Sequence, residues 1–389
     1  MNRSLDTRRV LADSTLVGLA TASGGAFLFV ANLHLARLFG PVEFGRLRTV
    51  IELMSSLTLI VELGAGPSLV KYISEHGIER TRDLARRILT LRAVLFVALA
   101  SAVFLGRDTL AGWTLEDAAG SAPVDPLLGH YVAAGALYLL LVYVDICKFL
   151  VLAYQKIRLF ALSIATTFLA NGALAAAFAT FGGVVGAILG WGLGYVVGNA
   201  VSLVHIVRSG TLRKGPPMEL RKVLWGYGLP MQVEQTLRGA EMAIIPIFSL
   251  FFAGPQIGAL AFALVFYRSG ASILTSISST LMPRFGQLSS DPAGARSTLR
   301  QVLALYTPCA ILAAGLGVLF AEPVIAAIDT AYLPAASILS TLAVYGALSG
   351  YGIILGFYFA GIGKVRWAIV TTGTQQAGLF LASYLGLMA

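Results

Sequence analysis

Charged side chains inside long apolar runs are where this sequence could do chemistry, because an Arg or Asp at the centre of a membrane helix costs about 2.5–3.5 kcal/mol and is kept there only for a reason. Glu234, Arg238 and Glu241 stand at spacings of four and three, which puts all three on one helix face and lets Arg238 pair with either acid. Gln235 adds a hydrogen-bonding neighbour. A second stripe carries Arg48, Glu52 and Glu62 within about 80° of one another on a helical wheel, with Arg46 nearer the helix end. Arg268, and Asp145 with Lys148, extend the set. Guanidinium forks suit phosphate oxygens, so one reading is a polar cavity whose arginines receive an anionic head group. The other is internal charge pairing that only sets helix register. Asp145 and Lys148, three apart near a helix end, are expected to be a snorkelling pair, and His34 a packed residue.

Several other chemistries lack their residues. Gly363-Lys364 is followed by Val365 and has no glycine five positions earlier, so no phosphate-cradling loop is predicted. Transport would then draw on an ion gradient, with H+ or Na+ as the coupling ion, on the membrane potential or on the substrate's own gradient. No cluster has metal-ligand spacing, no Ser/His/Asp set stands out, and neither a cofactor nor enzymatic activity is expected. Cys147 and Cys309 fall inside apolar runs and imply no disulfide framework.

The elements that must carry these residues are membrane helices. Of the 389 residues 57% are hydrophobic and only 12% charged, about half the charge of an ordinary soluble domain. The net charge of +9 is concentrated in alternate connections, at Arg3/Arg8/Arg9, Lys71/Arg80/Arg82/Arg86/Arg87, Lys156/Arg158, Arg208/Arg213/Lys214/Arg221/Lys222, Arg284/Arg296/Arg300 and Lys364/Arg366. That is a topology signal rather than a nucleic-acid footprint, and it predicts a multi-pass protein of the cell membrane with a cytoplasmic N-terminus. Apolar segments predict about eleven helices, at 14–39, 45–74, 84–106, 130–153, 159–180, 184–208, 222–252, 257–288, 297–320, 333–361 and 365–388. One sizeable outer loop, 107–129, carries Asp108, Glu116, Asp117 and Asp125. Gly182, Gly186, Gly190, Gly194 and Gly198 form a ladder of period four, expected to pack within one lobe.

The chain also repeats itself. FGPVEFG at 39–45 echoes FAGPQIG at 252–258, and Lys156-Ile157-Arg158 echoes Lys364-Val365-Arg366. The fold expected is therefore all-α and integral to the membrane, a two-lobed bundle of pseudo-twofold repeats with the substrate site between the lobes. The lobes are placed at 1–210 and 211–389. An offset of about 208 between the repeats puts the partner of the sixth helix beyond residue 389, so the second lobe is expected to be short of its last helix.

ARLFGPVEFGRLRTVIELMSSLTLIVELGAGPSLVKYISE at 36–75 resembles the first two helices of the polysaccharide-transporter flippases, in the superfamily of multidrug and oligosaccharidyl-lipid exporters. YGLPMQVEQTLRGAEMAII at 227–245 is similar to that family's seventh helix, with Glu241 matching its acidic position, and LMPRFGQL at 281–288 fits the end of the eighth. The resemblance implies alternating access and translocation of polyprenyl-linked oligosaccharide from the cytoplasmic to the outer leaflet. It implies membrane lipid and polysaccharide assembly proteins as partners, and Arg238, Arg268 and Arg48 as the residues that meet a lipid diphosphate. The alternatives are cation-coupled drug efflux through Glu234 or Glu241, a membrane-embedded glycosyltransferase, and a non-transporting component of polysaccharide assembly.

Overall fold

The computed structural model describes residues 7–115, 126–211, 213, 215–279, 281, 285, 288 and 291–389. Arg3, Glu116, Asp117, Asp125, Lys214 and Arg284 lie outside them. The first element, α1 (Thr7–Val61), is two spans joined at a kink where Gly40 takes φ 68°, ψ 176°, a conformation open to glycine, and Pro41 restarts the helix. It is followed by α2 (Ala65–His76), α3 (Ile78–Leu105), α4 (Arg107–Thr114), α5 (Pro126–Val142) and α6 (Ile146–Ala153). Next come α7 (Ile157–Gly198), kinked at Gly183 into two antiparallel arms, and α8 (Ala200–Arg208). The second lobe has α9 (Leu220–Val223), α10 (Leu229–Gly239), α11 (Ile244–Phe248), α12 (Gly254–Ser279), α13 (Pro292–Ile328), α14 (Ala335–Gly361) and α15 (Val365–Met388).

Among the described residues seven helices are long and apolar enough to cross a membrane, and two of them, spanning 47 and 42 residues, are the kinked pairs α1 and α7. With the interrupted run α9–α11 and with α15, the described residues make eleven crossings in the order the sequence predicts. The protein is an all-α, multi-pass membrane bundle of two lobes.

Three expectations need correction. The loop at 107–129 contains a helix, α4, and α5 begins earlier than expected, at Pro126. The second span is not continuous over 45–74, because it breaks at 62–64, where Leu63 and Gly64 have φ of 50° and 63°. Pro67 explains the break: its ring would collide with the Leu63 carbonyl of a continuous helix. The seventh span is irregular for the same reason. A π-helical turn at Leu224–Gly228 precedes Pro230, and a 3-10 turn at Ala240–Ala243 precedes Pro246.

The repeat is visible as geometry. Gln155 and Gly363 both have positive φ, 56° and 78°. The amides of Lys156 and Lys364 both reach back five residues, to the carbonyls of Val151 (3.2 Å) and Phe359 (2.8 Å). One hydrogen-bonded turn thus serves both lobes. The two glycine–proline turns meet each other: a Cβ on Gly45 would lie 2.9 Å from the Gly258 backbone nitrogen, and one on Gly258 would fall on the Pro41 carbonyl oxygen. Equivalent positions touch across an interface when they lie beside a twofold axis. Around this contact, Tyr332, from the 3-10 turn Thr330–Tyr332, stacks on Phe262 with ring centres 4.3 Å apart and donates to the Ala36 carbonyl at 2.9 Å. One apolar cluster, including Leu35, Phe44, Leu47, Leu260, Leu264 and Tyr332, runs through both lobes at this end. The glycine ladder packs as expected, with Gly186, Gly190, Gly194 and Gly198 lying against Phe178, Leu174, Asn171 and Thr167 of the other arm of α7.

The Gly45–Gly258 contact leaves no room for a methyl group on a backbone that cannot yield. Gly258→Ala should lower the melting midpoint of the detergent-purified protein by several degrees, an overpacking cost of about 1–3 kcal/mol. Gly270→Ala on the same helix, where a Cβ would meet nothing within 4 Å, should leave it unchanged. Equal midpoints for the two variants would show that the lobes do not close here.

Candidate functional site

Glu52 stands at the middle of the second span with only 1% of its side chain exposed. Its carboxylate takes a two-pronged ion pair from Arg268 of α12, Nη1 to Oε1 at 2.5 Å and Nη2 to Oε2 at 3.0 Å. Arg48, one turn earlier on α1, donates Nη2 to the same Oε1 at 2.7 Å. The two arginines come from different lobes and share one acid. Arg48 reaches on to Asn32 Oδ1 at 3.3 Å and lies 5.6 Å from the Trp191 ring. Arg268 Nη2 also donates to the Glu241 backbone carbonyl at 2.9 Å, in the 3-10 turn before Pro246. Among the described residues the Glu241 carboxylate has no hydrogen-bond or ion-pair partner, only its backbone carbonyl being bonded to Arg268. The Nε donors of Arg48 and Arg268 are buried without an acceptor.

Two guanidinium groups with one carboxylate between them leave one positive charge unbalanced within the triad. Their charges are desolvated, so the attraction between Glu52 and its partners is strong, but it is offset by the cost of taking all three from water. An anion with more acceptor oxygens than a carboxylate satisfies more of the ten N–H directions the pair presents.

The other predicted residues are placed as follows. Arg238 pairs with Glu234, and its side chain is 58% exposed. Glu62, at the break in the second span, turns into the first lobe, where Arg92 Nη2 reaches it at 2.9 Å and Arg92 Nη1 binds the Tyr143 carbonyl at 3.1 Å. Glu62 is thereby separated from Glu52 and Arg48, its neighbours on the wheel. Arg46 pairs with Glu43 at 2.6 Å, and Tyr131 donates to the same acid at 2.9 Å. Lys148 and Asp145 pair at 2.5 Å. His34 is exposed. Among the described residues no three His, Cys, Asp or Glu side chains are grouped to hold a metal.

Sequence reasoning missed Arg92, Asn32, Trp191 and Gln232. Gln232 of α10 is buried and spans the lobes: its Oε1 accepts from the Gly64 amide at 2.6 Å and its Nε2 donates to the Leu59 carbonyl. A side-chain amide thus takes up backbone groups set free where the second span breaks. The signal available was GAGP at 64–67, which predicts loose backbone groups but not their partner.

The sequence model of the family described as polysaccharide biosynthesis protein matches residues 10–289. The chain belongs to that family. No curated protein matches it. Solved structures share its fold at low identity. A MATE transporter in the bent conformation is 16% identical, with 99% of this chain and 95% of that one covered and a TM-score of 0.61. A MOP superfamily transporter from Pyrococcus furiosus Vc1, noted for the reverse polarity of its binding pocket, is 17% identical over 97% and 94% at 0.62. The lipid II flippase MurJ in an inward closed conformation is 13% identical over 96% and 86% at 0.64. This member of the polysaccharide biosynthesis family therefore has the fold of membrane transporters and flippases.

Removing one partner of the buried triad strands charge. Glu52→Gln should destabilise the detergent-purified protein by about 3–5 kcal/mol. The double variant Glu52→Gln/Arg268→Gln should recover part of that loss in a double-mutant cycle. Strictly additive losses would mean that the two side chains do not pair.

Proposed function

We propose that this protein moves a polyprenyl-linked oligosaccharide, a precursor of cell-surface polysaccharide or glycan, from the cytoplasmic to the outer leaflet of the cell membrane. The N-terminus is cytoplasmic on this reading, and the moving bodies are the lobes at 1–210 and 211–389. The observation that carries it is the buried pair Arg48 and Arg268, held by a single shared carboxylate across the lobes. The substrate's diphosphate takes these guanidinium groups, displaces Glu52 and so loosens one tie between the lobes. Arg238, with Glu234, is the more accessible cation that meets the diphosphate first.

The lipid tail needs a way to remain in the bilayer. Between α1 and α12 the last aromatic contact is Phe29 on Phe266, with ring centres 5.0 Å apart. Beyond it a Cβ at Gly18, Gly25 or Gly270 would meet nothing within 4 Å. This side of the interface is where the tail leaves the cavity. Glu241, whose carboxylate is unbonded beside Arg268, is the place for a coupling H+ or Na+. The same residue supports the alternative of cation-coupled efflux, in which the cargo is a cation and the arginines are only structural.

Flipping of a fluorescent polyprenyl-diphosphate oligosaccharide in proteoliposomes separates these readings. The parent chain should transport it, and Arg238→Ala and Arg268→Lys should each lower the rate by roughly tenfold, since a lysine keeps the charge but not the planar fork. Melting should be preserved in Arg238→Ala, because that side chain is mostly exposed. Parental rates in both variants would refute the arginine mechanism, and an inserted parent chain with no transport would refute the substrate class.

A further inference from the structure

α15 is a full-length span of 24 residues, yet it is not among the seven apolar ones. The cause is the stretch VTTGTQQ at 370–376. Polar side chains at membrane depth need partners, and most of these have them. Thr371 and Thr374 bond to their own helix, at the Trp367 and Val370 carbonyls. Gln375 donates to the Ser349 carbonyl at 2.7 Å.

Gln376 is different. Its Nε2 makes a long 3.4 Å bond to the Arg238 carbonyl, and its Oε1 is buried with no partner. Three residues before Arg238, the Oε1 of Gln235 is likewise buried and unmet. Turning the Gln376 amide over would set its oxygen against the Arg238 carbonyl, so the orphan acceptor is not a matter of amide assignment. Glu234, the residue before Gln235, is 21% exposed and its carboxylate is held by Arg238. The two unmet amide oxygens fit a ligand that brings hydroxyl groups.

We propose that Gln235, Gln376 and Glu234 form a subsite for the saccharide hydroxyls of the cargo, a proposal that rests on the flippase reading. Glu241, level with the buried arginines, stands six residues further along, about 9 Å at 1.5 Å per residue. Phosphates at Arg48 and Arg268 therefore leave the sugars attached to them within reach of the glutamine oxygens.

The test compares two lipids, a polyprenyl-diphosphate oligosaccharide and the same polyprenyl diphosphate without sugar, binding to the full chain and to Gln235→Leu/Gln376→Leu. The double variant should bind the sugar-bearing lipid roughly tenfold more weakly and the bare diphosphate unchanged. Its melting midpoint should hold or rise, since replacing unmet buried acceptors by apolar groups of similar shape is neutral or favourable. Equal weakening for both lipids, or no weakening for either, would overturn the subsite. A parent chain that binds the bare diphosphate but gains nothing from the sugar would overturn the subsite and leave the flippase reading standing. Binding of neither lipid by the parent would overturn both.

Discussion

A carboxylate sealed from water inside a membrane bundle cannot carry its charge alone, and Glu52 is that carboxylate. Almost nothing of its side chain reaches solvent, so cations must come to it, and one of them arrives from the other lobe. This requirement ties the halves together at mid-membrane more specifically than apolar packing does, because lipid tails compete with Leu and Phe but not with Arg. An ion pair assembled at a desolvation cost is nevertheless worth little in net terms against apolar packing.

The backbone follows the same logic of unmet polar groups. Pro67, Pro230 and Pro246 each interrupt a span, and each interruption frees amides or carbonyls that lipid cannot satisfy. The freed groups face protein instead. Gln232 takes up the break at 62–64 from across the lobe interface, and Arg268 takes the Glu241 carbonyl. The breaks at 62–64 and at Ala240–Ala243 therefore lie where the lobes meet and where charge is buried. Broken spans at an interface of this kind can change their angle without losing a whole ladder of hydrogen bonds.

The two ends of the interface are built differently. At the glycine–proline end, backbone meets backbone at Gly45 and Gly258, and Tyr332 with Phe44 and Phe262 fills the space around them. Farther along, Phe29 meets Phe266, and beyond them a Cβ at Gly18, Gly25 or Gly270 would meet nothing within 4 Å. Close small-residue contact at one end and open positions at the other make an asymmetric seam.

Much of this was legible from residue order. Long apolar runs separated by basic turns require membrane helices, because the bilayer demands about 20 apolar residues per crossing, and the echo of FGPVEFG in FAGPQIG required two related lobes. Helical spacing also placed Glu234 with Arg238 and Arg48 with Glu52, since neighbours at i and i+4 meet on any helix. Spacing fails where a helix breaks: Glu62 shares a wheel face with Glu52, yet Pro67 ends that wheel and Glu62 turns to Arg92. It also says nothing of partners 168 or 216 residues away, the separations of Gln232 from Gly64 and of Arg268 from Glu52. The sequence by itself determined the helices, the repeat and the local charge pairs, all set by short-range periodicity and the cost of polar groups in lipid. Only the tertiary structure decided which arginines share one acid, because that depends on how two lobes are laid against each other.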